Sequence, residues 1–182
     1  MGSYKYRILL DTDNNQEIFR DIIIDEKENF ETFYRAILAA FNFEGKEIGS
    51  FFMSNDEWDK GFEISLMDMS YSDEDQDLSG VMSQSILAEY MEELDQKMIL
   101  VYDFMRMWIF LIELQERVNE STEKPKVDLA VGIAPPEDSK MVQEDLFAGD
   151  DDQDDFEDDY EDDFEDGYND EDFDNGYDEY NY

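Results

Sequence analysis

Cysteine and histidine are both absent from the 182 residues. Without imidazole the chain has no Ser-His-Asp triad, no Cys-His pair and no His-ligated metal. Without a thiol it has no disulfide, no nucleophilic Cys and no Fe–S cluster. Cations are scarce as well: 13 Lys and Arg stand against 52 Asp and Glu, a formal charge of -39. Affinity for nucleic acid comes largely from cations meeting phosphates, so direct binding to DNA or RNA is not expected. Long apolar runs are missing too. The most apolar window, residues 98–114, contains Asp103, Arg106 and Glu113 and falls short of the roughly 20 residues that span a bilayer. Asp11 and Asp13 interrupt the first apolar run, which does not suit a signal peptide. The expected location is the cytoplasm, without a membrane partner.

What is present is unevenly spread. Residues 150–182 hold 19 Asp and Glu and no Lys or Arg, which leaves 33 acids and all 13 bases in residues 1–149. The body thus carries -20 and the tail -19. A segment so charged and without aliphatic side chains cannot offset chain entropy of roughly 1–2 kcal/mol per residue. Two regions follow: a folded domain over 1–149 and a disordered tail over 150–182. In the tail Phe156, Tyr160, Phe164 and Tyr168 recur every four residues within Asp and Glu. Like charges four apart oppose a helix there, while the rings offer cation–π contacts to Arg or Lys. The partner this predicts is a basic protein. The alternative is a solvated tail that keeps the domain soluble.

Within the body, Tyr4, Tyr6, Ile8 and Leu10 alternate as a strand, Asp13-Asn14-Asn15 is turn chemistry, and residues 18–24 return as a second strand. A calcium loop starting at Asp11 lacks its glycine and glutamate, since Gln16 and Ile22 stand there. Phe30, Phe33, Tyr34, Ile37, Leu38 and Phe41 share one helical face, with Asn29 as N-cap. Residues 48–53 and 62–67 read as strands around a loop with Trp58, and 70–79 as an acidic loop. Ile86, Leu87, Tyr90, Met91 and Leu94 repeat a helical spacing. Local signals leave 98–114 open between two strands and an extension of that helix.

The order of hairpin, helix 29–43, apolar strand, Tyr102-Asp103-Phe104 with Trp108, then Pro135-Pro136-Glu137-Asp138 resembles the ORF-3-like family of Ri plasmids, whose relatives include passenger proteins of insertion elements. The resemblance runs from about residue 4 to 138. It implies an α+β fold, an antiparallel sheet packed by helices, and a hairpin at 98–114. The chain departs from the family where Met105-Arg106 replaces Gly-Asp, Phe110 and Tyr34 stand at His positions, and the Cys before Pro-Pro-Glu-Asp are missing. Any site built on those groups is lost here, and the turn loses its glycine.

Asp103 beside Arg106 reads as an ion pair or an acceptor of N–H groups, or else as a buried general base. Pro135 and Pro136 read as an extended segment opening a short helix, with Glu137 and Asp138 in its first turn and a further weak helix over 140–147. The leading expectation is a non-enzymatic interaction protein with no cofactor and no catalytic or metal-binding residues. The competing one is a carboxylate enzyme, alone or with Mg²⁺ or Mn²⁺, which needs Asp103, Glu137 and Asp138 in one pocket. A mobile-element accessory protein acting on a DNA-binding protein is the third. No oligomeric state follows from the sequence.

Overall fold

A computed structural model describes residues 2–68 and 79–142. The chain runs β1 (Ser3–Leu10), β2 (Phe19–Asp25), α1 (Phe30–Ala40), β3 (Gly49–Ser54), β4 (Glu63–Ser65), β5 (Ser79–Val81), α2 (Leu87–Tyr90), β6 (Lys97–Tyr102), β7 (Trp108–Val118) and β8 (Lys126–Val131). All eight strands join one sheet in the order β5-β4-β3-β6-β7-β1-β2-β8. Every pairing is antiparallel except β4 with β5, which is parallel. The expected α+β architecture, an antiparallel sheet packed by helices, is therefore corrected to a large mixed sheet with few helices. The physical reason is reach. Eleven residues of helix rise roughly 16 Å, about three strand spacings of roughly 4.8 Å, so α1 cannot cover eight strands.

Helix α1 starts where Asn29 Oδ1 accepts the Thr32 N–H at 2.8 Å. It buries Phe30, Phe33, Tyr34, Ile37 and Leu38, each worth roughly 1.5–3 kcal/mol. Its rings meet one face of the sheet: Phe33 lies 4.7 Å from Tyr6 and stacks on Phe51, and Phe41 meets Phe110 at 5.0 Å. Arg20 is buried beneath its last turn. The guanidinium donates to the carbonyls of Phe19, Ala40 and Val131, which ties β2, β8 and the helix end together.

The helical spacing over 86–94 yields only the single turn of α2. The Gln96 amide ends it, accepting the N–H groups of Glu92 and Glu93 and donating to the Tyr90 carbonyl. The choice left open at 98–114 resolves as a hairpin, β6 against β7. Strand β8, not anticipated, is an exposed edge. The predicted helix opening at Glu137 does not form; Ser139 instead returns both its N–H and its hydroxyl to the Pro136 carbonyl. Most of the acidic loop over 70–79, the end of the weak helix over 140–147 and the whole tail lie outside the described residues.

Candidate functional site

Three loops meet at the end of the sheet where β6 turns into β7. The first follows α1. Asn42 takes a left-handed backbone, φ 60°, and sends the chain through Glu44, Lys46 and Glu47 towards β3. The second is the turn 103–107. Asp103 sits in this turn and not on a strand, at φ 57°, and Met107 mirrors it at 56°. Asp103 Oδ1 accepts the N–H groups of Met105 and Arg106 at 3.1 and 3.2 Å. Its Oδ2 lies 3.4 Å from the Arg106 guanidinium. Both structural roles expected for this carboxylate are thus seen together. The third is a strap, residues 132–142, that leaves β8 and crosses the end of the sheet.

Glu137 pins the strap. Tyr102 donates its hydroxyl to Oε1, and the Glu44 N–H donates to Oε2 at 2.6 Å. The Trp108 indole N–H donates to the Glu137 carbonyl at 3.0 Å. Lys140 donates to the Met107 carbonyl and lies over the Trp108 ring. Tyr102 also accepts the Glu47 N–H at 3.3 Å, and Tyr34 donates to the Glu47 carbonyl at 2.9 Å. Burial, then the bond to Glu137, pushes the Tyr102 hydroxyl up to about 12. Burial also pushes the Tyr34 hydroxyl up, with Tyr102 adding to it.

Between these loops lies a cleft of about 390 Å³, lined by Glu44, Lys46 and Glu47, by Asp103 and Arg106, and by Glu137 and Asp138. It brings together the three carboxylates that the sequence offered for an enzyme. Two of them are already committed, because Glu137 and Asp103 spend both oxygens holding backbone and side-chain donors. Among the described residues no group of three or more Asp or Glu is placed to hold a metal ion. Trp108 is buried as a wall of the aromatic core. Phe104 does not join the cleft; it is 40% exposed and lines a separate 70 Å³ pocket with Ile48 and Met67. Pro135 borders another cleft, with Asp11, Asp13 and Lys140. Phe156, Tyr160, Phe164 and Tyr168 lie outside the described residues. Sequence reasoning missed Glu44 and Glu47 as site residues, since nothing local marks them. Tyr34 stands out in the sequence on the apolar helix face and at a family His position, but only as the loss of a site.

Sheet, helix and strap define a class of single-sheet domain closed at one end by the hydrogen-bonded segment that follows β8. The family model for the plasmid pRiA4b ORF-3-like protein matches residues 3–176, and the chain belongs to that family. The match passes the Pro-Pro-Glu-Asp segment, where the recognisable motifs end, and continues through most of the acidic tail. The crystal structure of a protein of unknown function from Methanosarcina mazei Go1 is similar at 22% identity, with a TM-score of 0.62 over 81% of this chain and 80% of that one. That likeness concerns the fold alone. No curated protein matches. Among the described residues no helix is long and apolar enough to cross a membrane.

Proposed function

We propose that this chain is a non-enzymatic interaction protein whose acidic segment, residues 150–182, engages a basic protein surface. The observation that carries the reading is the 19 Asp and Glu, with no Lys or Arg, gathered in those 33 residues. Eight aromatic rings are threaded through them, and each exposed ring adds roughly 0.5–1 kcal/mol against a cation. The commitment of Asp103 and Glu137 to backbone and side-chain donors supports the non-enzymatic reading. A DNA-binding protein of a mobile element, met in the cytoplasm, is the partner class the family suggests. The test is fluorescence anisotropy with an arginine-rich peptide, using the full chain and a variant with every tail Asp→Asn and Glu→Gln. The neutralised chain should bind at least ~10-fold more weakly, and Ala at Phe156, Tyr160, Phe164 and Tyr168 should weaken binding by a smaller factor. Equal affinity of parent and neutralised chain sinks the proposal.

A carboxylate enzyme is the second reading, favoured by Asp103, Glu137 and Asp138 sharing one cleft. It requires Glu137 to release Tyr102. Calorimetric titration with MnCl2 tests its metal-dependent form, which fails if Glu137→Gln leaves the binding heat unchanged.

A further inference from the structure

The polar groups around the cleft are unevenly satisfied. Glu137 and Asp103 have both oxygens taken, and Glu44 is paired with Lys46 at the rim. Glu47 lends the structure only its backbone, the N–H to Tyr102 and the carbonyl to Tyr34. Among the described residues its carboxylate has no hydrogen bond or ion pair, and neither has that of Asp138. Both side chains are exposed. Arg106 is unfinished in the opposite sense. Among the described residues its guanidinium makes one polar contact, 3.4 Å to Asp103 Oδ2, and its Nε is buried without an acceptor. Buried donors are nearly always satisfied, so this guanidinium keeps capacity for an acceptor from outside the chain. Around one space of about 390 Å³, a cation is short of an anion and two carboxylates are short of cations.

We infer that the cleft binds a free basic amino acid, a small molecule with one carboxylate and two cationic groups. Its carboxylate answers Arg106, because a guanidinium fork matches a carboxylate with two parallel bonds. Its two cations answer Glu47 and Asp138. The other small ligands fail on charge. Five carboxylates and two cations line the space, so phosphate and larger anions are repelled. A divalent metal ion finds no group of three acids among the described residues, and it leaves Arg106 without an anion. A simple amine has the same defect. An amino acid with an apolar side chain supplies the anion but only one of the two cations. The volume lies near the lower end of the roughly 300–1,000 Å³ of small-molecule sites, the scale of a single such guest. Arg106 comes from the 103–107 turn, Glu47 from the loop after α1 and Asp138 from the strap, so the guest bridges all three.

This inference is independent of the tail, and the experiment keeps the two apart. The full chain is titrated calorimetrically with L-arginine in about 0.15 M NaCl, where a Debye length of roughly 8 Å screens unspecific attraction. One molecule per chain should bind, with a dissociation constant below about 1 mM. Agmatine, which is arginine without its carboxylate, should bind at least ~10-fold more weakly despite its higher charge. Glu47→Gln and Asp138→Asn change exposed side chains that hold nothing in the fold, and each should weaken L-arginine at least ~5-fold. Arg106→Lys keeps the charge but loses the fork, and should erase the preference for L-arginine over agmatine. The chain with its tail acids neutralised should bind L-arginine as the parent does, whatever becomes of its affinity for the arginine-rich peptide. Agmatine binding as tightly as L-arginine to the parent overturns the assignment, as does an affinity that Glu47→Gln and Asp138→Asn together leave unchanged. Heat that vanishes when the tail is neutralised puts the cation on the tail and overturns it too. So does the lack of any saturable heat up to about 10 mM L-arginine.

Discussion

Tyr102 joins the sheet to the strap through one hydroxyl. It donates to Glu137 and accepts from the Glu47 N–H, so its removal leaves a carboxylate oxygen of Glu137 without its donor. A hydrogen bond to a charged group contributes roughly 1.5–3 kcal/mol, and Tyr102→Phe should lower stability by about that much in urea denaturation at about pH 8. The same residue sets an alkaline limit. A free tyrosine loses its proton near roughly 10, whereas burial and Glu137 hold Tyr102 to about 12. The unfolded chain therefore ionises first. The contribution is whole below the unfolded value and is lost as pH rises through the folded one. Stability of the parent should fall between about pH 10 and 12. Tyr102→Phe should fall less steeply, since among the described residues Tyr34 and Tyr6 are the strongly raised hydroxyls that remain. An unchanged urea midpoint at about pH 8 removes Glu137 from the account of the strap.

The β6–β7 turn is where element and sequence diverge most usefully. The family glycine falls at Met105, yet the left-handed residues are Asp103 and Met107, so the missing glycine costs the turn no strain. Asp103 builds it instead, by accepting two N–H groups. Asp103→Ala should destabilise by roughly 1–3 kcal/mol, the cost of unpairing buried polar groups, while Asp103→Asn keeps the acceptor and loses less. Met107→Gly should stabilise by several tenths of a kcal/mol or more, because glycine adopts positive φ without a Cβ penalty. Thermal melts of the three variants check the order, and Met107→Gly melting below the parent contradicts it. The β1–β2 hairpin, α1 with its Asn29 cap and strand β3 were legible because their apolar residues match the face they bury. The unbroken apolar run of β6 and β7 left strand and helix open, and only the family resemblance favoured the hairpin. The single turn of α2 was not legible, since Gln96 stops it from two residues beyond the periodic segment. Strand β8 escaped because an exposed edge buries too little to imprint a pattern. The cleft was half legible: Asp103 stood out by its apolar surroundings, and Glu137 and Asp138 by the family motif. Glu44 and Glu47 are two of many acids, and they bond Glu137 and Tyr102 through their backbone N–H groups.

For the whole molecule the question is whether its few ion pairs or its excess charge governs the response to salt. The pairs are local. Lys97 with Asp56 and Lys5 with Asp128 each have one exposed partner, and such pairs contribute roughly 0–1 kcal/mol each. Arg7 with the buried Asp21, held by two bonds, is the one stronger pair among the three. The excess is collective: -20 in residues 1–149 and -19 beyond, repelling itself over a Debye length of roughly 30 Å at 0.01 M salt and roughly 8 Å at 0.15 M. Repulsion acts among dozens of unmatched carboxylates, so it outweighs a handful of exposed pairs, and compaction is what it opposes. Adding salt should therefore stabilise the protein. Between about 0.01 and 0.15 M NaCl the calorimetric midpoint should rise by several degrees, since roughly 1 kcal/mol moves a domain of this size by about 2–4 °C. Neutralising the tail acids should roughly halve that rise, because it removes 19 of the 39 net charges. A midpoint that falls with salt means that Arg7, Lys97 and Lys5 hold the sheet more strongly than exposed pairs ordinarily do.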